Sequence, residues 1–188
     1  MSTGEQERPP RPKGDEAQRI ADQLGALRAF VRLRLGHSLR AREESIDIAQ
    51  SVVREALADA DRFEGGDDGL RAWLWRRAEN KIRDRVRFWG RERRDAVKEA
   101  GPVDDPALAE ACGSLMTPSR VVSGREEIER VERAFAQLSE DQRRVILLSR
   151  VADLPHAEVA RAMDRSELAT RSLLSRAIAR LSMLLEKR

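Results

Sequence analysis

An all-α fold is what this sequence predicts, and three observations predict it. Apolar residues recur every three to four positions along most of the chain, the spacing that gathers side chains on one face of a helix. No segment alternates apolar and polar residues with the period of two that a half-buried strand needs. β-branched residues are sparse and tyrosine is absent, so residues that favour pleated surfaces are scarce too.

The elements follow in order. "MSTGEQERPPRPKGDE" is rich in Pro, Gly and charge and has no apolar core, so residues 1–16 are expected to be a disordered tail and not a secretory signal. From Ala17 to Leu35, apolar residues at Ile20, Leu24, Leu27, Val31 and Leu35 predict one helix. Ile46, Ala49, Val53, Ala56 and Leu57 predict a second. "RFEGGDDG" then interrupts the pattern, its three glycines marking a loop. A third helix should run from about Leu70 into the early 90s, with Leu74, Ala78, Ile82, Val86 and Trp89 as its apolar stripe. Lys98–Gly124 is rich in Gly, Pro, Ser and Asp and reads as an extended linker. Four more helical segments follow: Arg125–Gln137, Glu140–Val151, His156–Met163 and Ser166–Leu185. "SEDQ" at Ser139–Gln142 has the spacing of a capping box. The expected organisation is a helical unit over 17–97, a linker over 98–124 and a second helical unit over 125–188. Each unit is so small that its own core would be marginal.

Charge is segregated along the chain. Residues 40–68 hold four Arg against nine Asp or Glu, whereas residues 71–94 hold ten Lys or Arg against three acids. Residues 161–188 hold seven basic side chains against three acidic ones. Such separated patches suit a polyanionic partner together with a second, basic one. One cysteine, Cys112, excludes a disulfide framework and fits a reducing cytosol. No apolar run approaches the length of a membrane span.

All three tryptophans lie in the most basic stretch, "RAWLWRRAENKIRDRVRFWGRERR". Trp75 falls within the arc of the apolar stripe and is expected in the core. Trp73 projects roughly 170° from the stripe's mean direction. Trp73 and Phe88 are therefore candidates for surface work beside Arg76, Arg77, Lys81, Arg83 and Arg87. Aromatic rings among arginines make a stacking platform for unpaired bases.

"LPHAEVARAMDRSELATRSLLSRAIARL" has the form of a helix-turn-helix with its turn at Asp164–Ser166. The longer helix collects Thr170, Leu174, Ala177, Ile178, Leu181 and Leu185 on one face, leaving Leu168, Arg171, Ser172, Ser175 and Arg176 on the other. Two arginines and two hydroxyls near a helix start suit a DNA major groove. A helical hairpin with a solvated Arg face has the same pattern.

Together these motifs carry a resemblance. Asp47-Ile-Ala-Gln50-Ser-Val-Val, "ADADRFEGGDDGLRAWL" and Ala78-x-Asn80-x-x-x-Asp84-x-x-Arg87 resemble region 2 of bacterial extracytoplasmic-function (ECF) sigma factors. "LSEDQRRVILLSRVADLPHAEVARAMDRSELATRSLLSRAIARL" resembles their region 4, and "TPSRVVSGREE" the segment leading into it. The resemblance covers about 24–95 and 117–186. It departs from the family pattern at Val53, at Arg77, at Leu173 and at Ala169-Thr170.

The resemblance implies a subunit that binds core RNA polymerase, recognises −10 and −35 promoter elements and helps to open promoter DNA. It implies polymerase docking by Asp47 and Gln50. It implies −10 DNA binding by Phe63, Trp73, Arg76, Asn80, Arg83 and Arg87. It implies −35 reading by Arg171, Ser172, Ser175 and Arg176, with Glu167 a further candidate. The expected partners are core polymerase and promoter DNA in the cytoplasm, with an anti-sigma factor left open. A competing assignment is an ordinary helix-turn-helix regulator whose N-terminal half is a sensor or dimerisation module.

No enzyme, metal or cofactor is expected. His37 and His156 stand apart from any metal-ligand spacing. There is no Gly-rich phosphate loop and no nucleophile elbow.

Overall fold

The computed structural model describes residues 13–40, 45–60, 63, 66–91 and 125–186. Residues 1–12 of the tail expected over 1–16, the linker over 98–124 with Cys112, and the side chain of Trp89 fall outside that set. All regular elements among the described residues are helical.

The first half holds α1 (Lys13–Asp22), α2 (Leu24–Arg40), α3 (Ser45–Ala58) and α4 (Asp67–Arg91). The single helix expected over Ala17–Leu35 is two. At Gln23 the backbone N–H turns back to the carbonyl of Ile20 at 3.2 Å, a three-residue step that breaks the ladder. The break lets the chain feed two apolar clusters. Ile20 drops into a small one with Ala56, Leu70 and Leu74, whereas Leu27 onward enters the large one.

α1 begins at Lys13, inside the segment assigned to the tail. α4 begins at Asp67, three residues before the expected Leu70. Leu70 N–H donates to Gly66 O at 2.9 Å, and Asp67 and Asp68 set negative charge in the first turn, where the helix dipole favours it. Arg19 of α1 pairs with Asp67. α4 then outruns its packing. Ile82 is 3% exposed, but Val86, expected on the stripe, is 43% exposed.

The second half holds α5 (Arg125–Ala136), α6 (Glu140–Ile146), a widened π turn over Leu147–Val151, α7 (His156–Met163) and α8 (Glu167–Glu186). Ser139 caps α6 as its motif predicts. Its hydroxyl accepts from Gln142 N–H at 3.3 Å, and the Gln142 side chain accepts from Ser139 N–H at 3.0 Å. The π turn buries Leu147, Leu148 and Val151 together.

Between α7 and α8 the chain turns at Asp164, whose φ of 54° and ψ of 48° are left-handed. Among non-glycine residues Asp is one of the few that visit this region readily. Ser166 then starts α8, its hydroxyl accepting from Ala169 N–H at 3.2 Å.

The halves do not keep separate cores. One apolar cluster runs from Leu27, Phe30 and Trp75 to Phe135, Leu147 and Leu181. α2 is its axis, with Leu27, Ala29, Phe30, Val31, Leu33 and Leu35 all buried. α3 and α4 pack on it from one half, α5 and the π turn from the other. That explains why α2 buries more of its circumference than one stripe. Ion pairs among the described residues also join the halves, among them Arg32–Glu132 at 2.6 Å, Arg34–Glu140, Arg71–Asp153 at 3.2 Å and Arg144–Glu79 at 2.6 Å.

Candidate nucleic-acid interface

Trp73, Arg76, Asn80, Arg83 and Arg87 are spaced three and four residues apart along α4. At 100° per residue they fall within an arc of about 80°, one ridge about 21 Å long. Arg76, Asn80, Arg83 and Arg87 are exposed, and the Arg83 guanidinium donates to the side-chain Oδ1 of Asn80 at 3.2 Å. The opposite face holds Leu74, Ala78 and Ile82 in the core, so burial on one side presents the basic ridge on the other.

Trp73 at the head of the ridge is neither core nor free surface. It is half-buried against Phe63, with ring centroids 5.4 Å apart and planes tilted by 35°. The Arg77 guanidinium lies over the Trp73 ring, 4.3 Å from its centroid, and Arg77 is held by Asp59 just after α3. Phe63 and Trp73 thus pack together on the small cluster of Ile20, Ala56, Leu70 and Leu74, with the Arg77 guanidinium over the Trp73 ring. Arg77, where the family pattern has Ile, is the residue that braces it. Sequence spacing alone does not show that Phe63 reaches Trp73. The Phe63 ring also lies over Gly69, where an added Cβ would meet it at an ordinary 3.5 Å; space therefore does not demand glycine there. Trp75 is core as expected, 1% exposed and 4.9 Å from Phe30.

The ridge borders a cavity of about 350 Å³ between α4 and the second half, lined in part by Trp75, Arg76, Asn80, Arg83, Leu148 and Arg161. The Glu79–Arg144 pair lies in its wall. Arg144 Nε donates to Glu79 Oε1 at 2.6 Å and its NH2 group to Oε2 at 2.7 Å. Glu79 is 9% exposed. The hydrogen bond to Glu79 raises the Arg144 pKa above the ordinary guanidinium value, outweighing the opposing effect of burial. Sequence reasoning singled out neither residue: their positions are 65 apart and each looks like ordinary helix-surface charge.

On α3, Asp47 and Gln50 are both exposed, three residues apart on the face turned away from buried Ile48, Ala49 and Val52.

On α8, Thr170, Leu174, Ala177, Leu181 and Leu185 are buried. Arg171, Ser172, Ser175 and Arg176 are exposed, as the helical wheel expects. Arg171 donates to Glu167 at 3.0 Å. Two departures from the family pattern find explanations here. Thr170 is 0% exposed and its hydroxyl donates to Ser166 O at 2.9 Å, locking the helix start from inside. Leu173 is half-buried against the large core. Both pack inward, leaving the outward face to the polar set. Arg165, in the turn, is tied to Asp141 of α6 at 2.6 Å, fixing α7 and α8 relative to the capped helix.

Among the described residues no group of His, Cys, Asp and Glu side chains is placed to hold a metal ion. Nor is any described helix long and apolar enough to cross a membrane.

Comparison with known proteins matches residues 128–181 to the sigma-70 region 4 family. RNA polymerase sigma factor NccH of Alcaligenes xylosoxydans xylosoxydans is 31% identical over 185 residues, covering 93% of this chain and 96% of that one. ECF RNA polymerase sigma factor SigG of Mycobacterium tuberculosis is 34% identical over 152 residues, covering 71% of this chain and 40% of its own length. A solved structure of the sigma factor RpoE in complex with the anti-sigma factor NepR from Bartonella quintana superposes with a TM-score of 0.65 at 26% identity, covering 93% of this chain and 99% of that one. NccH matches through both helical halves, which leaves the assignment of the N-terminal half to a separate sensor module without support. The resemblance carried by the Asp47–Gln50 helix, the basic tryptophan helix and the helix-turn-helix is therefore one of descent, and the chain belongs to the ECF sigma factors of bacterial RNA polymerase.

Proposed function

We propose that this sigma factor divides promoter recognition among three surfaces. Asp47 and Gln50 dock on basic helices of core polymerase. The ridge from Trp73 to Arg87, headed by the Phe63–Trp73 stack, takes the −10 element as it opens. The outward face of α8 reads the −35 element through Arg171, Ser172, Ser175 and Arg176. The units are 17–97 and 125–188, joined by a linker over 98–124, and they work in the cytoplasm without cofactor or catalysis of their own. RpoE is found with an anti-sigma factor; on that likeness an anti-sigma factor is a further partner.

The α4 ridge carries this proposal. Its arginines supply positive charge for phosphates, and a ring at its head supplies a face for a base. Extruding a base costs a few kcal/mol, which stacking at about 1–3 kcal/mol per base can offset.

The test is co-elution of the chain with core RNA polymerase, followed by run-off transcription on genomic fragments. Specific start sites that vanish when Asn80 and Arg83 are both replaced by Ala support the proposal. Start sites unaffected by that change refute the role of the ridge.

A further inference from the structure

Leu168 is the most exposed large apolar side chain among the described residues, at 79%. It sits in the first turn of α8, the second residue of the helix. At 100° per residue it lies about 160° from buried Thr170, near the middle of the outward face, between Arg171 and Ser172. An apolar side chain gains nothing from phosphate, and it would desolvate the polar edges of most bases without replacing their hydrogen bonds. One base offers it a matching surface. In the major groove only thymine presents a methyl group.

We propose that Leu168 is a specificity-determining residue that reads a thymine methyl in the −35 element. This rests on the assignment of α8 as the −35-reading helix and extends it to a residue that assignment leaves out. Leu168 and Arg171 are three residues apart, an axial separation of about 4.5 Å. Stacked base pairs are separated by about 3.4 Å. The thymine is therefore expected within about one to two base pairs of the base that Arg171 contacts. Glu167, which holds Arg171 at 3.0 Å, leaves Leu168 free between them.

The experiment selects binding sites from a random duplex library with reconstituted holoenzyme. Each thymine in the selected −35 element is then replaced singly by deoxyuridine, which lacks only the methyl. For the wild-type protein, one replacement should weaken binding about fourfold, the value of one methyl group removed from water. For Leu168→Ala the same replacement should have no effect, while all other positions keep their preferences. The side chain is exposed, so this variant should fold and melt like the wild type.

If no deoxyuridine replacement affects the wild type, or if Leu168→Ala keeps the same sensitivity, the proposal is wrong. It is also wrong if Leu168→Ala weakens core polymerase binding without altering sequence preference, which would make Leu168 a protein contact. Arg171→Ala separates this failure from that of the underlying assignment. If it erases preference in the −35 element while Leu168→Ala changes nothing, only the leucine proposal falls. If Arg171→Ala and Ser172→Ala change nothing either, α8 does not read DNA through this face.

Discussion

Replacing Arg144 by Ala should loosen the contact between the two halves of the protein more than any change to its exposed ion pairs. The wild-type pair makes two charge-assisted hydrogen bonds, at 2.6 and 2.7 Å, to a carboxylate only 9% exposed. Stranding one member of a fully buried pair costs about 3–5 kcal/mol. The Arg144 side chain is 24% exposed, so water reaches part of the site, and the expected loss is about 2–4 kcal/mol. Lys at 144 keeps the charge but not the planar fork, and should fall between Ala and the wild type. Glu79→Leu with Arg144→Met removes both charges together and should cost less than Arg144→Ala alone, since no buried charge is left behind. The assay is urea unfolding followed by circular dichroism, arranged as a double-mutant cycle of Glu79→Ala and Arg144→Ala. A coupling of about 2 kcal/mol is expected. Scattering at low urea should show Arg144→Ala expanding before it unfolds. A coupling below about 0.5 kcal/mol, with Arg144→Ala as compact as the wild type, would refute the reasoning. It would mean that the shared apolar cluster and the other ion pairs, Arg32–Glu132 among them, join the halves without help from Glu79–Arg144.

Other predictions follow from the interface. Asp47→Arg should abolish co-elution with core polymerase while circular dichroism stays unchanged, because Asp47 is exposed. Trp73→Ala should slow promoter opening on duplex templates and recover much of its activity on a pre-melted bubble. It should also lower stability by about 1–2 kcal/mol in chemical denaturation, since the ring is half-buried and in contact with Phe63 and Arg77. Trp75→Ala, at a site 1% exposed, should lower stability by about 3–5 kcal/mol, and no template should rescue it. Arg171→Ala and Arg176→Ala should each cost about 1–3 kcal/mol in promoter binding if they contact bases, with relaxed preference at one position. A phosphate contact would instead weaken all sequences alike and flatten the salt dependence.

Much of the molecule was legible in local spacing. The Ser139–Gln142 capping box needs only residues three apart, and it formed as its motif predicts. The division of α8 into a buried face and an outward face needs only helical periodicity and the burial of one side. The ridge on α4 is the complement of its own apolar stripe, so the same arithmetic exposes it. These features depend on neighbours within a turn or two, and the sequence by itself determined them.

Only the tertiary structure decided which distant residues meet. Periodicity reports that a helix has an apolar face, not how many partners will cover it. α2 reads as one stripe, yet it is buried from two directions because helices of both halves pack on it. The stripe on α4 reads as continuous to Val86, yet Val86 is exposed because the helix runs past its packing. Glu79 and Arg144 read as solvated charges until two helices bring them together. Trp73 reads as surface, but Phe63 folds back from the loop to cover one side of it. In each case the deciding energy is a contact between residues far apart in sequence, and no local pattern encodes the geometry that brings them within reach.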